Sequence, residues 1–297
     1  MKFVWNHAYL LMVLTALAWS GNAITGRGLN DIIPPIGLAF WRWVVAFPIL
    51  VLIAWPHLQK DIPKIRENWF ILIVLSVLSI SAYNTFLYYG LLSTTAINSL
   101  LINTARPVAI VLLSLLFFGQ GITLKQGCGF FLAFIGTTVI IIKADISRLA
   151  SLDFNAGDIW VLAAMACWAL FTVLLKKRPK MHPTSFITIT VFIGALILLP
   201  FYIWETLFIK PTPFVLETVL GVFYLAIFAS IVAYLFYNRA VEIAGANKAG
   251  QVSYILPILG SILAIFLLDE TFQMYHAIGF ILILLGVYFG SKGEKIN

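Results

Sequence analysis

Apolar runs of about 17 to 25 residues, the length a helix needs to cross a hydrocarbon core, recur along the chain and are separated by short polar connections. They predict ten membrane spans, at about 7–26, 35–55, 69–91, 96–118, 126–142, 159–175, 184–204, 218–238, 249–268 and 271–290. Trp55 and Trp69 bracket one connection, and Trp5 and Trp204 stand at other span ends, where amphipathic rings sit at the membrane surface. Thr123 and Gln126 form a capping-box pattern at the start of span five.

Composition sharpens this picture. The 297 residues are 62% hydrophobic and 10% charged, with 24 Phe, 11 Tyr and 9 Trp, which excludes a soluble globular domain. The formal charge of +7 does not point to nucleic acid, because the basic residues lie in short connections rather than along one face or tail. Membrane topology explains them instead. Alternate connections on the side of the N-terminus carry 13 Lys and Arg, whereas the opposite set carries four (Arg27, Lys143, Arg148 and Lys210), so both termini are expected in the cytoplasm. The basic stretch KKRPK at 176–180 reads as part of this signal, with no ligand of its own. One Lys precedes the first apolar run and no A-x-A-like cleavage site follows, so that run is expected to be a retained span. Cys128 and Cys167 fall inside apolar runs and make neither a disulfide framework nor a metal cluster.

The chain also repeats itself. LTALAWSGNAI at 14–24 lies 149 residues before AAMACWALFTV, which superposes Trp19 on Trp168. With a shift of 150, Pro107 falls on Pro257, Gly129 on Gly279 and Gly136 on Gly286. A duplicated five-span unit follows, residues 1–148 and 149–297. Five is odd, so the second copy enters the membrane from the other side and the halves are inverted. The paired glycines are seven apart on one helix face and read as packing positions, in part between subunits. The predicted fold is an all-α integral membrane protein of ten transmembrane helices in two inverted five-helix repeats.

AWSGNAITGRGL in span one, PPIGLAFWRW entering span two, a proline within spans four and nine, and LLDE followed by G-x-x-L-I-x-x-G at 279–286 together resemble the EamA-type transporters of the drug/metabolite transporter superfamily. The resemblance runs over essentially the whole chain. It implies a central cavity built from spans one, three, four, six, eight and nine, an inner-membrane location, and export of small metabolites. One departure is that Gln120 stands where the family often has a glutamate after span four, while Glu270 keeps it in the second half.

Two arginines, Arg42 and Arg106, sit at membrane depth with no Asp or Glu beside them; Asp158, Glu205, Asp269 and Glu270 are all at span ends. A buried cation seeks partners among freed carbonyls, water or an anionic ligand. Arg106 precedes Pro107, whose ring breaks a helix and releases the Asn103 carbonyl. Arg106 therefore either binds such carbonyls or faces substrate; for Arg42 a helix contact is the favoured reading. Ser99, Asn103 and Arg106 share one helix face by spacing, as do Asn247, Gln251 and Tyr254 on span nine, and the two stripes are expected to face each other near the pseudo-symmetry axis. The alternative for these polar residues is interhelical hydrogen bonding that only holds the bundle together. Trp19 with Asn22, Trp168 with Thr172, Tyr83, Asn84 and Tyr88 in span three, and Tyr234 with Asn238 in span eight add polar aromatics that favour a wet cavity over lipid.

The expected substrate-binding set is thus Arg106, Asn103, Ser99, Gln251, Tyr254, Trp19, Asn22, Trp168, Tyr83 and Tyr88, with Pro107 and Pro257 as helix breaks that serve gating. No phosphate-binding G-x-x-x-x-G-K-[ST] loop is present, and no histidine has a zinc-like or triad-like neighbour, so enzymatic work lacks candidates and no cofactor is implied. The expected function is secondary transport by alternating access, with amino acids or related carboxylates as leading cargo. The partners are a small-molecule substrate, the lipid bilayer and a coupling proton or counter-substrate, without nucleic acid. Efflux of sugars, nucleosides or drugs, a membrane-embedded enzyme and a lipid scramblase are the rival readings.

Overall fold

A computed structural model describes residues 2–29, 31–94, 99, 102–103, 105–147, 155–267 and 273–291. Arg148, Asp269 and Glu270 lie outside the described residues, as do the expected boundary between the repeats and the starts of spans four and ten. Ordered structure among the described residues is helical. The principal helices are α1 Ala8–Gly28, α2 Pro35–Glu67, α3 Trp69–Ser93, α4 Arg106–Phe118, α5 Leu124–Ile141, α6 Ala156–Leu174, α7 Pro183–Phe208, α8 Leu216–Ala244, α9 Val252–Leu267 and α10 Met274–Ser291. Among the described residues, α2, α3, α5, α6 (with its 3₁₀ extension to Lys177), α7 and α8 are long and apolar enough to cross a membrane. Helix α4 and the apolar stretches Ala8–Asn22 and Met274–Gly290 are shorter.

Helix α2 does not stop at Trp55. It runs through Pro48, Pro56 and Pro63 to Glu67, because a proline removes one hydrogen bond each time and packing along the rest of the helix offsets that loss. The extra turns carry Asp61 to the start of α7. There its Oδ2 accepts from the backbone N–H of His182 at 2.9 Å, while Lys64 donates to Oδ1 at 2.9 Å. At the far end of the same pair, Glu205 of α7 accepts from the backbone N–H groups of Ile36 and Gly37 at 3.1 and 2.6 Å. Helix α2 begins after Pro34, which offers no capping side chain. Glu205 thus satisfies donors that every helix start leaves unpaired, and a carboxylate is the preferred charge there. Glu205→Ala is expected to lower stability by about 1 to 3 kcal/mol, read as a lower unfolding temperature of the purified protein, with Glu205→Gln recovering part of the loss.

The α5–α10 pair is the tightest crossing. A Cβ on Gly129 would lie 2.6 Å from the Gly286 carbonyl oxygen, one on Gly136 2.8 Å from that of Gly279, and one on Gly286 2.5 Å from the Ala133 nitrogen. The backbones touch, so these glycines pack two helices of one chain; the expected share of packing between subunits is not needed to account for them. Helix α5 starts with the expected capping box, in which Thr123 N–H donates to Gln126 Oε1 at 2.8 Å and Gln126 N–H to Thr123 Oγ1 at 3.3 Å. A second box starts α6, where Asn155 Oδ1 accepts from Gly157 N–H and Asp158 Oδ2 from Asn155 N–H, both at 2.8 Å.

Two helices depart from the α form. Helix α3 contains a π segment at Val77–Ala82 and α8 another at Leu225–Val232. A π turn leaves carbonyls without their usual partner four residues on, and side chains from other helices take them up. Tyr234 OH donates to the Ser79 carbonyl at 2.8 Å, and Trp19 Nε1 to the Ala229 carbonyl at 3.2 Å.

Candidate functional site

Span four does not run unbroken through its midpoint. Ala105 precedes a helix that begins at Arg106, so Pro107 occupies the first turn, where its missing N–H costs nothing. In span nine, a four-residue helical turn, Ala246–Ala249, precedes α9, and Pro257 sits inside α9, one turn beyond its start. Pro107 is thus the second residue of its helix and Pro257 the sixth of its own.

Arg42 lies on α2 and is 1% exposed. Its Nε donates to Ser230 Oγ at 2.9 Å, and its Nη1 points at Tyr88 OH, Asn84 Oδ1 and Asn22 Oδ1 at 2.8, 3.0 and 3.3 Å. Tyr88 OH in turn donates to Asn22 Oδ1 at 3.2 Å, and Asn84 Nδ2 donates to the Ser79 carbonyl at 3.0 Å. The guanidinium also stands 4.9 Å from the centre of the Trp43 ring. Three helices, α1, α3 and α8, thus contribute neutral oxygens to one cation carried by α2. Predicted substrate residues Asn22 and Tyr88 are both committed to this cage.

Arg106 is 3% exposed. Its Nη2 donates to Asn103 Oδ1 and to Tyr83 OH, the latter at 3.4 Å, and its guanidinium lies 5.6 Å from the Tyr83 ring centre. Its Nε is buried without a hydrogen-bond partner. Asn103 is held by Nδ2 donating to the Ser99 carbonyl at 2.8 Å, and Ser99 itself is buried. Among the described residues no carboxylate pairs with either arginine. The difference between the two cations is their complement: neutral oxygens surround Arg42, whereas Arg106 keeps an open donor.

An aromatic layer adjoins Arg106. Trp168, fully buried on α6, has Tyr83, Trp19, Phe171, Tyr234 and Tyr237 around it, with ring centres 4.7 to 5.3 Å away. Thr172 Oγ1 gives its one proton to the Trp168 carbonyl at 2.9 Å, so at its 2.7 Å contact with Tyr237 OH the tyrosine is the donor. Thr172 also lines a cavity of about 660 Å³, together with the buried Ser114 and Asn238 and the charged Lys64, Lys176, Arg178, Lys180 and Glu242.

The structure therefore brings Ser99, Asn103, Arg106, Tyr83, Trp168 and Trp19 into one connected set. It does not bring Gln251 and Tyr254 there. Tyr254 packs with Val111, Phe130, Ala133, Ile140 and Ile283, against α5 and α10, and the Gln251 amide lies against Gly290. Spacing defines a shared face but not the neighbour that face meets, and α9 turns Gln251 and Tyr254 toward the α5–α10 pair. Sequence reasoning missed Tyr237 and Ser230; neither carries a periodic signal that sets it apart from its helix. Among the described residues no three His, Cys, Asp or Glu side chains gather as a metal site would need.

Comparisons with known proteins agree with this architecture. An uncharacterized transporter of Archaeoglobus fulgidus is 32% identical over 95% of this chain and 96% of its own length, and the uncharacterized transporter YyaM of Bacillus subtilis is 27% identical over 88% of this chain and 86% of its own. A solved crystal structure superposes with a TM-score of 0.77 over 95% of both chains at 19% identity, which speaks for the fold. The EamA-like transporter profile matches twice, at residues 6–142 and again at 155–291. The chain is a multi-pass membrane protein that belongs to the EamA-like transporter family.

Proposed function

We propose that this transporter exports amino acids or related carboxylates across the inner membrane, alternating access between two inverted five-helix halves at 1–148 and 149–297, with both termini in the cytoplasm. The observation that carries the cargo assignment is Arg106. It is a buried cation with no described carboxylate, with one unpartnered N–H and a polar wall of Asn103 and Tyr83. A carboxylate would supply the missing charge and acceptor together. Cationic drugs fit poorly, since the buried guanidinium of Arg106 would repel them. Sugars and nucleosides would leave Arg106 without a counter-charge.

Reconstituted protein should exchange labelled amino acid across liposomes by counterflow. Arg106→Ala is expected to lower that rate by about tenfold to a hundredfold, the worth of a charged hydrogen bond, while leaving the folded yield close to that of the parent. Counterflow that persists in a folded Arg106→Ala protein would remove Arg106 from the site. Repeating the assay with and without an imposed pH gradient separates coupling to a proton from exchange against a counter-substrate. Asp158 and Glu205 already serve as helix caps.

A further inference from the structure

The basic connection after α6 does more than fix topology. It forms the wall of the 660 Å³ cavity, and the charges there are not balanced. Lys64 is bound to Asp61 at 2.9 Å. Glu242 is shared between Arg178 at 2.9 Å and Arg239 at 3.1 Å. Lys176 and Lys180 have no carboxylate among the described residues, and the Lys176 ammonium stands 4.7 Å from the Phe118 ring centre. The buried part of the lining is polar, with Ser114, Thr172 and Asn238. Surplus positive charge at the mouth of a low-dielectric cleft concentrates anions.

We propose that this vestibule is a distinct anion-binding site, in which Lys176 and Lys180 hold a small soluble carboxylate before it passes the Trp168–Tyr237 layer toward Arg106. Glu242 sets its strength by holding Arg178 away from the ligand. The assignment of the occupant as cargo rests on the reading of Arg106 given above; the binding site itself does not.

Full-length protein in phosphatidylcholine nanodiscs can be titrated with radiolabelled benzoate, with benzamide as the uncharged competitor. Lys176→Gln with Lys180→Gln should weaken benzoate binding about tenfold, from two partly screened charges. Glu242→Gln should tighten it about threefold by freeing Arg178 and removing a negative charge. Benzamide should not compete, and added salt should weaken the parent more than the double variant. Unchanged affinity in the double variant, or weaker binding in Glu242→Gln, would overturn the proposal. So would loss of all benzoate binding in Arg106→Ala, which would place the anion at Arg106 alone. Discs containing phosphatidylglycerol test the lipid source: abolished benzoate binding there would assign the site to a headgroup instead of a soluble anion. Counterflow that survives Arg106→Ala, with vestibule binding still following Lys176 and Lys180, would retire the cargo reading and leave this site standing.

Discussion

Arg42→Met is expected to be the most damaging single polar substitution in the chain, lowering stability by about 3 to 5 kcal/mol, the scale for removing one member of a buried charged network. The loss has a specific origin. Removing the guanidinium strands Ser230, Asn22, Asn84 and Tyr88, whose oxygens converge on it from three other helices. Arg42→Lys keeps the charge but not the fork of donors that reaches Ser230 on one side and three oxygens on the other, so it should recover only part of the stability. Unfolding temperatures in one detergent would rank parent, Lys and Met variants in that order. The Met substitution should also cost less in a Tyr88→Phe background, because partners in one network are not additive. A Met variant as stable as the parent would show that the cage holds nothing together.

Gly136→Leu is expected to part α5 from α10 and to cost about 3 kcal/mol, the upper end for overpacking a filled contact. Even a single carbon on Gly136 would meet Leu282 Cβ at 2.7 Å and the Gly279 carbonyl at 2.8 Å. Neither neighbour is the tip of a flexible side chain, so the strain must go into helix separation. Gly127 on the same helix is the control, because a Cβ there meets only Ile122 Cδ1 at 3.7 Å. Gly127→Ala should shift stability by less than about 1 kcal/mol. Equal unfolding temperatures for both variants would refute backbone contact between the two helices.

The apolar runs were legible because their lengths match a bilayer, and the starts of α2, α3 and α7 fall within a residue of the expected positions. The seven-residue glycine spacing was legible because close backbone approach leaves no alternative residue. The run of α2 to Glu67 was hidden by Pro56 and Pro63, which read as terminators until the contact of Asp61 with α7 is known. The π segments were hidden as well, since an inserted residue leaves no mark in an all-apolar stretch. For the site, residue types pointed to Arg106, Trp19, Trp168 and Tyr83, whereas Gln251 and Tyr254 were assigned a neighbour that α9 does not give them. The vestibule was unreadable because topology alone accounts for KKRPK; only the fold shows that Lys176 and Lys180 stand at a cavity.

The exchange of caps between α2 and α7 constrains the order in which the chain is completed. The first N–H groups of α2 wait for Glu205, more than 160 residues later in synthesis. Asp61, already made, waits for His182. The early half therefore leaves the ribosome with an unfinished helix start that only the late half can close. Release of a truncated chain anywhere before residue 205 yields a first half with exposed backbone donors, a ready mark for membrane quality control.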